Sequence, residues 1–137
     1  MIGLDTNVLV RYVAQDDARQ TAQANALMES LTTERPGFIA TVVLVEALWV
    51  MEDVYAASRE RLAEIAEGLL QTDTLVVEGA ERAWRALVGF RKGNADFADH
   101  LIARTCEAAG CSVTYTFDKT AARDGGMTLM SARAGAV

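Results

Sequence analysis

The sequence predicts an α/β fold in which a mostly parallel sheet carries helices on both faces. Three observations lead there. Short β-forming runs alternate with helical runs along the whole chain, the arrangement that parallel strands need for their crossovers. The opening run Met1-Ile2-Gly3-Leu4 is apolar and passes straight into Asp5-Thr6-Asn7, as a buried strand does when it reaches a turn. No repeat, low-complexity tract or linker breaks the pattern over 137 residues, a length that suits one domain. That domain is expected over 1–133, with 134–137 as a tail.

After the first strand, residues 7–13 read as a short helix ending in Gln15-Asp16-Asp17. Asp17 and Gln20 have capping-box spacing and open a helix from Ala18 to Leu31, with Ala24, Leu27, Met28 and Leu31 at i, i+3, i+4, i+7. The break carries the chain's single proline, Pro36. Phe38-Ile39-Ala40 is the second strand, and Thr41 is the expected N-cap of the helix at 42–53. That helix is apolar nearly all round, which predicts burial on every face, with Glu46 the lone charge before Glu52. Ser58 caps an amphipathic helix at 59–70, and Thr74 to Val77 is the third strand. The next helix, Glu81 to Phe90, points Ala83, Trp84, Leu87 and Val88 inward. Asn94 is the expected cap of a helix over 95–109, which Gly110 ends in the left-handed conformation. Ser112 to Thr116 is the fourth strand, followed by a helix at 119–123 and a strand at Met127 to Met130.

Composition narrows the function. A hydrophobic share of 51% excludes a disordered chain. No stretch of about 18 uncharged apolar residues exists to span a membrane, and no basic leader precedes Asp5. Cys106 and Cys111 lack metal-ligand or CxxC spacing and are expected to be small buried hydrophobes in a reducing, cytoplasmic setting. A net charge of −6 argues against wrapping nucleic acid by bulk electrostatics. It leaves room for a nuclease, whose metal site is itself acidic.

The informative residues are carboxylates. Asp5 and Asp118 each follow a strand directly, Glu46 lies early in the helix after the second strand, and Asp96 and Asp99 open the helix before the fourth. In parallel α/β sheets, ligands bind beyond the carboxyl ends of the strands, so all are expected on one rim. Oxygen ligands without clustered Cys or His favour a hard ion, Mg²⁺ or Mn²⁺, and suit phosphoryl chemistry. On a helical wheel of about 100° per residue, Ala98, Leu101, Ile102, Thr105, Cys106 and Ala109 form the core stripe. Asp99 falls roughly 90° from its centre and Asp96 roughly 150°, on the solvent side with His100, Arg104 and Glu107. Asp99 is therefore the better inner ligand and Asp96 an accessory. Walker, GxGxxG and GxSxG motifs are absent.

Asp5-Thr6-Asn7, Glu46 in its apolar helix, Asp96-Phe97-Ala98-Asp99 and Thr116-Phe117-Asp118-Lys119, in this order and spacing, resemble a PIN-domain ribonuclease of the VapC toxin type. The resemblance implies a three-layer α/β/α fold, Mg²⁺- or Mn²⁺-dependent RNA cleavage, homodimerisation and inhibition by a small antitoxin. Matched position by position, Asp5, Glu46, Asp99 and Asp118 are the acidic quartet, and Thr6 and Thr116 the small polar residues that orient it. Asn7 joins Asp96 as an accessory. His100 stands where such chains often have Ala. Arg91, Lys92, Lys119 and Arg123 flank the pocket and are candidates to seat the RNA backbone. Two other readings are weighed. A haloacid dehalogenase-like phosphatase wants a second Asp two residues after Asp5, where Asn7 stands. A silent binding module has no reason to keep four mutually repelling carboxylates.

Overall fold

A computed structural model describes residues 1–131. The chain divides into two compact units, Met1–Ala80 and a second beginning at Glu81. The first holds β1 (Ile2–Gly3), α1 (Thr6–Ala14), α2 (Ala18–Ser30), β2 (Gly37–Ile39), α3 (Thr41–Asp53), α4 (Arg59–Gln71) and β3 (Leu75–Val77). Helix α5 (Ala80–Phe90) starts at the boundary, and α6 (Phe97–Ala108), β4 (Tyr115–Thr116), α7 (Lys119–Asp124) and β5 (Thr128–Leu129) follow. Strands and helices alternate as the sequence predicts, and every described strand pair is parallel. The strands form two sheets: β1-β2-β3 in the first unit and β4-β5 in the second. The tail expected at 134–137 lies outside the described residues.

In the first unit, Gly37 of β2 pairs with Ile2 on one side and Leu75 on the other. Its buried site is tight, because a Cβ there would stand 2.9–3.0 Å from Leu31, Leu4 and Leu75 side chains. Leu9, Ile39 and Leu44 are completely buried between this sheet and its helices. Helix α1 packs on α2 and α3, and α4 on α3 and β3. The caps at Asp17 and Ser58 form as expected, accepting the backbone N–H of Gln20 and Arg61 at 2.8 and 3.1 Å. The other half of the capping box does not form, since the Gln20 carboxamide oxygen instead accepts Arg11 Nε–H at 2.6 Å. Arg11 also donates to Tyr55 and Asp16, and the Tyr55 hydroxyl donates to Asp16 at 2.6 Å. That hydroxyl, with Arg11 beside it, holds the Asp16 carboxyl below its usual range.

Helix α3 departs from the expectation of burial on every face. Leu44, Ala47, Leu48 and Met51 are buried, whereas Val42 and Trp49 are 69% and 59% exposed, and Glu46 is exposed too. A helix of this unit meets its neighbours along one side, and apolar composition alone cannot wrap it. Thr41 is the first helical residue rather than the cap, and its N–H donates to the Glu78 carboxylate at 2.8 Å.

In the second unit, Ala83, Ala86, Leu87 and Phe90 of α5 are buried while Val88, expected inward, is half exposed. Phe90 meets Phe97 edge to face with ring centroids 6.0 Å apart, and Ala103, Ala121 and Met127 form a small cluster. Helix α6 begins at Phe97, two residues later than expected, with Asp96 at its N-cap position. Its buried residues are Phe97, His100, Leu101 and Ala103, so the helix is turned away from the stripe that the sequence predicts. Ile102 is 49% exposed. His100, expected on the solvent face, is only 5% exposed. The reason sits on α5: a Cβ at Gly89 would lie 2.5 Å from His100 Nδ1, so the missing methyl makes room for the ring. Cys106 is half-buried and Cys111 exposed, against the expectation that both are buried. Gly110 has φ +94°, the left-handed end expected after α6.

Two glycine substitutions should separate packing from helix propensity. In Gly89→Ala, the gain in propensity of about 1 kcal/mol is outweighed by the clash with a ring that cannot move, for a net loss of about 1–2 kcal/mol. Gly68→Ala at an exposed position of α4, where a Cβ meets nothing within 4 Å, should stabilise by about 0.5–1 kcal/mol. Urea titration of both variants reads the two signs, and equal effects would refute the clash.

Candidate active site

In the first unit the chemistry gathers where β1 ends. Asp5 is the N-cap of α1, and its Oδ1 accepts the Val8 N–H at 3.0 Å. Its Oδ2 takes no hydrogen bond from the described residues. Asp5 is exposed, so the cost of burying a charge, on which the sequence argument leaned, does not apply to it. The next residue, Thr6, donates its hydroxyl to Glu46 Oε1, tying the α3 carboxylate to the start of α1. Asn7 follows with its side chain exposed.

The second unit brings three carboxylates into mutual influence. Asp118 caps α7, its Oδ1 accepting the N–H groups of Thr120 and Ala121 at 2.8 and 3.0 Å. The Thr116 hydroxyl oxygen accepts the Asp118 N–H at 3.0 Å, fixing the turn from β4 into the cap. Asp96 stands at the α6 N-cap position without a side-chain cap bond, and Asp99 lies in the first turn. Partial burial, then the Asp96 and Asp118 charges, raise the Asp99 carboxyl above the usual range. A backbone hydrogen bond and the nearby His100 oppose that rise.

The stripe expected to rank Asp99 above Asp96 is not the one α6 buries. Asp99 is nevertheless the more enclosed of the two, half-buried where Asp96 is exposed. Among the described residues, no three His, Cys, Asp or Glu side chains stand as a preformed ligand set. What the second unit does hold is Asp96, Asp99 and Asp118, whose charges act on one another, and a hard divalent cation is the partner that chemistry fits.

The cations sort differently from one another. Lys92 follows α5 and Lys119 opens α7, and neither makes an ion pair among the described residues. Arg91 closes α5 through an N–H bond to the Leu87 carbonyl. Arg123 is committed to Asp124, at 3.2 and 3.3 Å. Sequence reasoning missed Phe117, which is 85% exposed immediately before Asp118. An apolar ring displayed at the mouth of a turn was readable only once the short β4 was seen to end at Thr116.

The sequence model of the PIN domain matches residues 2–125, which takes in every carboxylate above. This chain belongs to the PIN domain family. PIN domains are generally nucleases that act on nucleic acids and typically use divalent metals. The membership agrees with the parallel α/β architecture and sets aside the phosphatase reading of Asp5. No curated protein matches the chain. Among the described residues, no helix of this PIN domain is long and apolar enough to cross a membrane.

Proposed function

We propose that this PIN domain is a Mg²⁺- or Mn²⁺-dependent endoribonuclease, the toxin of a VapC-type toxin–antitoxin pair, acting in the cytoplasm. The observation that carries the reading is the PIN-domain match over residues 2–125, which takes in all the candidate carboxylates; burial and then the Asp96 and Asp118 charges raise the Asp99 carboxyl, and a bound cation would relieve that repulsion. Asp5, Glu46, Asp99 and Asp118 are the proposed holders of the ion, in a nuclease domain proposed over 1–133. The chemistry the ion supplies when bound is activation of water and charge neutralisation at the leaving oxygen of a phosphodiester. Thr6 holds Glu46 in place and Thr116 fixes the Asp118 turn. Asp5 and Asp118 each keep one oxygen on a helix cap and offer the other to the site. Asp96 and Asn7 are accessory, and Lys92 and Lys119 are better placed than the paired Arg123 to seat backbone phosphates.

Val42 and Trp49, exposed two turns apart on one face of α3, support the proposed homodimer, since aromatic and apolar residues concentrate at interfaces. A small antitoxin is the second proposed partner. Phe117 extends the reading to the substrate: an exposed ring beside the proposed site suits stacking on an unpaired base. Phe117→Ala should weaken single-stranded RNA binding about tenfold in filter binding without metal, and unchanged affinity would remove Phe117 from the substrate path.

The test is direct. Purified chain is incubated with single-stranded RNA and matched DNA oligonucleotides in Mg²⁺, in Mn²⁺ and in EDTA. RNA should be cut at internal positions only with metal. Binding of RNA without cleavage under all conditions would leave the silent-module reading in its place.

A further inference from the structure

Between α1 and α2 lies a cavity of about 330 Å³ with Asp5 on its rim. Its volume is at the small end of small-molecule sites, about 300–1,000 Å³, enough for one planar ring system and too little for a folded segment. The wall is apolar, from Val8, Ala24 and Leu27, and three carboxamides stand around it: Asn7, Gln20 and Gln23. Apolar walls with a few placed polar groups are how such sites fix the orientation of a flat heterocycle.

The Gln20 amide is set in one orientation. Arg11 Nε–H can only donate, so the Gln20 atom it meets at 2.6 Å must be the carbonyl oxygen. The amide nitrogen, with two N–H donors, makes no hydrogen bond among the described residues. Arg11 is itself held by Asp16 and Tyr55, so the donor is anchored through a three-residue scaffold. The Asn7 and Gln23 amides are likewise uncommitted within the described residues.

We infer that this cavity is a nucleobase subsite for the residue next to the scissile phosphate, with the Gln20 amide as its preset donor. The inference rests on the ribonuclease reading for its substrate and names a base-positioning element within it. A fixed N–H donor is met by an acceptor on a base edge, a carbonyl oxygen of uracil, guanine or cytosine or a ring nitrogen of adenine. A flat ring bearing that acceptor also covers the apolar wall of Val8, Ala24 and Leu27, which ribose alone does not.

The experiment separates this subsite from catalysis. Full-length ¹⁵N-labelled protein in EDTA is titrated with uridine, cytidine, guanosine, adenosine and ribose, following the side-chain NH₂ signals assigned through Gln20→Leu and Gln23→Leu. Saturable shifts of the Gln20 and Gln23 signals with the four nucleosides, absent with ribose, are expected. Gln20→Leu should weaken that binding about tenfold. No saturable shift with any nucleoside, or equal shifts with ribose, overturns the subsite. Cleavage of single-stranded RNA in Mn²⁺ is read in parallel, where Gln20→Leu should raise KM with kcat little changed. Nucleoside shifts without cleavage would uphold the subsite and refute the nuclease. Cleavage with neither shifts nor a changed KM would do the reverse.

Discussion

Asp99→Asn should reduce RNA cleavage by about 10² or more, the scale of losing a principal electrostatic contributor, while the protein melts at least as high as the parent. The second half of that result follows from the raised carboxyl. A folded-state value above the unfolded one means that the unfolded chain ionises first. Metal-free stability therefore falls as pH rises through the window between the ordinary aspartate value, about 4, and the raised one, and stays reduced above it. Asparagine keeps the shape and removes the charge, so the variant's melting temperature should change less across that window than the parent's. Asp96→Asn is the paired control. It removes one of the charges that raise Asp99, so it should lower the Asp99 carboxyl and cost only part of the activity. Cleavage rate, Mn²⁺ affinity and melting temperature between pH 4 and 8 are measured for both variants. Loss of metal binding in Asp96→Asn with retention in Asp99→Asn would reverse the assigned roles.

The second large effect concerns the ion itself. Mn²⁺ at about 100 times its dissociation constant should stabilise the native state by about 2.7 kcal/mol, a rise in melting temperature of about 8–12 °C for a chain of this size. Excess EDTA should abolish both the rise and the cleavage. Asp99→Asn should shrink the rise, because one ligand charge is gone. Undiminished cleavage in chelator, on enzyme purified free of host ribonuclease, would refute metal dependence.

Much of this architecture was legible from local chemistry. Asp17 and Ser58 announce their helices because the cap is made by one side chain and the backbone three residues on. Asp118 does the same, although its cap was hidden behind its candidacy as a ligand. What local chemistry could not supply is the rotation of each helix. His100 is inside because Gly89, eleven positions earlier on another helix, lacks a methyl, and no periodicity within α6 contains that information. Trp49 and Val42 reverse the case: their apolarity was plain, but burial depends on which side of α3 meets a neighbour. Gln20 was misassigned for a related reason, since the capping partner it could have had lost to an arginine nine residues away.

The placement of Asp5 and Asp118 bears on how such a nuclease decays. Each holds the first turn of a helix with one oxygen, while the other is the one proposed to meet the ion. Alanine at either position strikes both at once, and an inactive alanine variant cannot by itself be read as catalytic. Asparagine or serine retains the cap and discards the charge. Under selection to silence the proposed toxin without producing an aggregating chain, the open route runs through those two residues. Disarmed but folded descendants of this chain should therefore carry Asn, Ser or Thr at positions 5 and 118 more often than Ala or Gly.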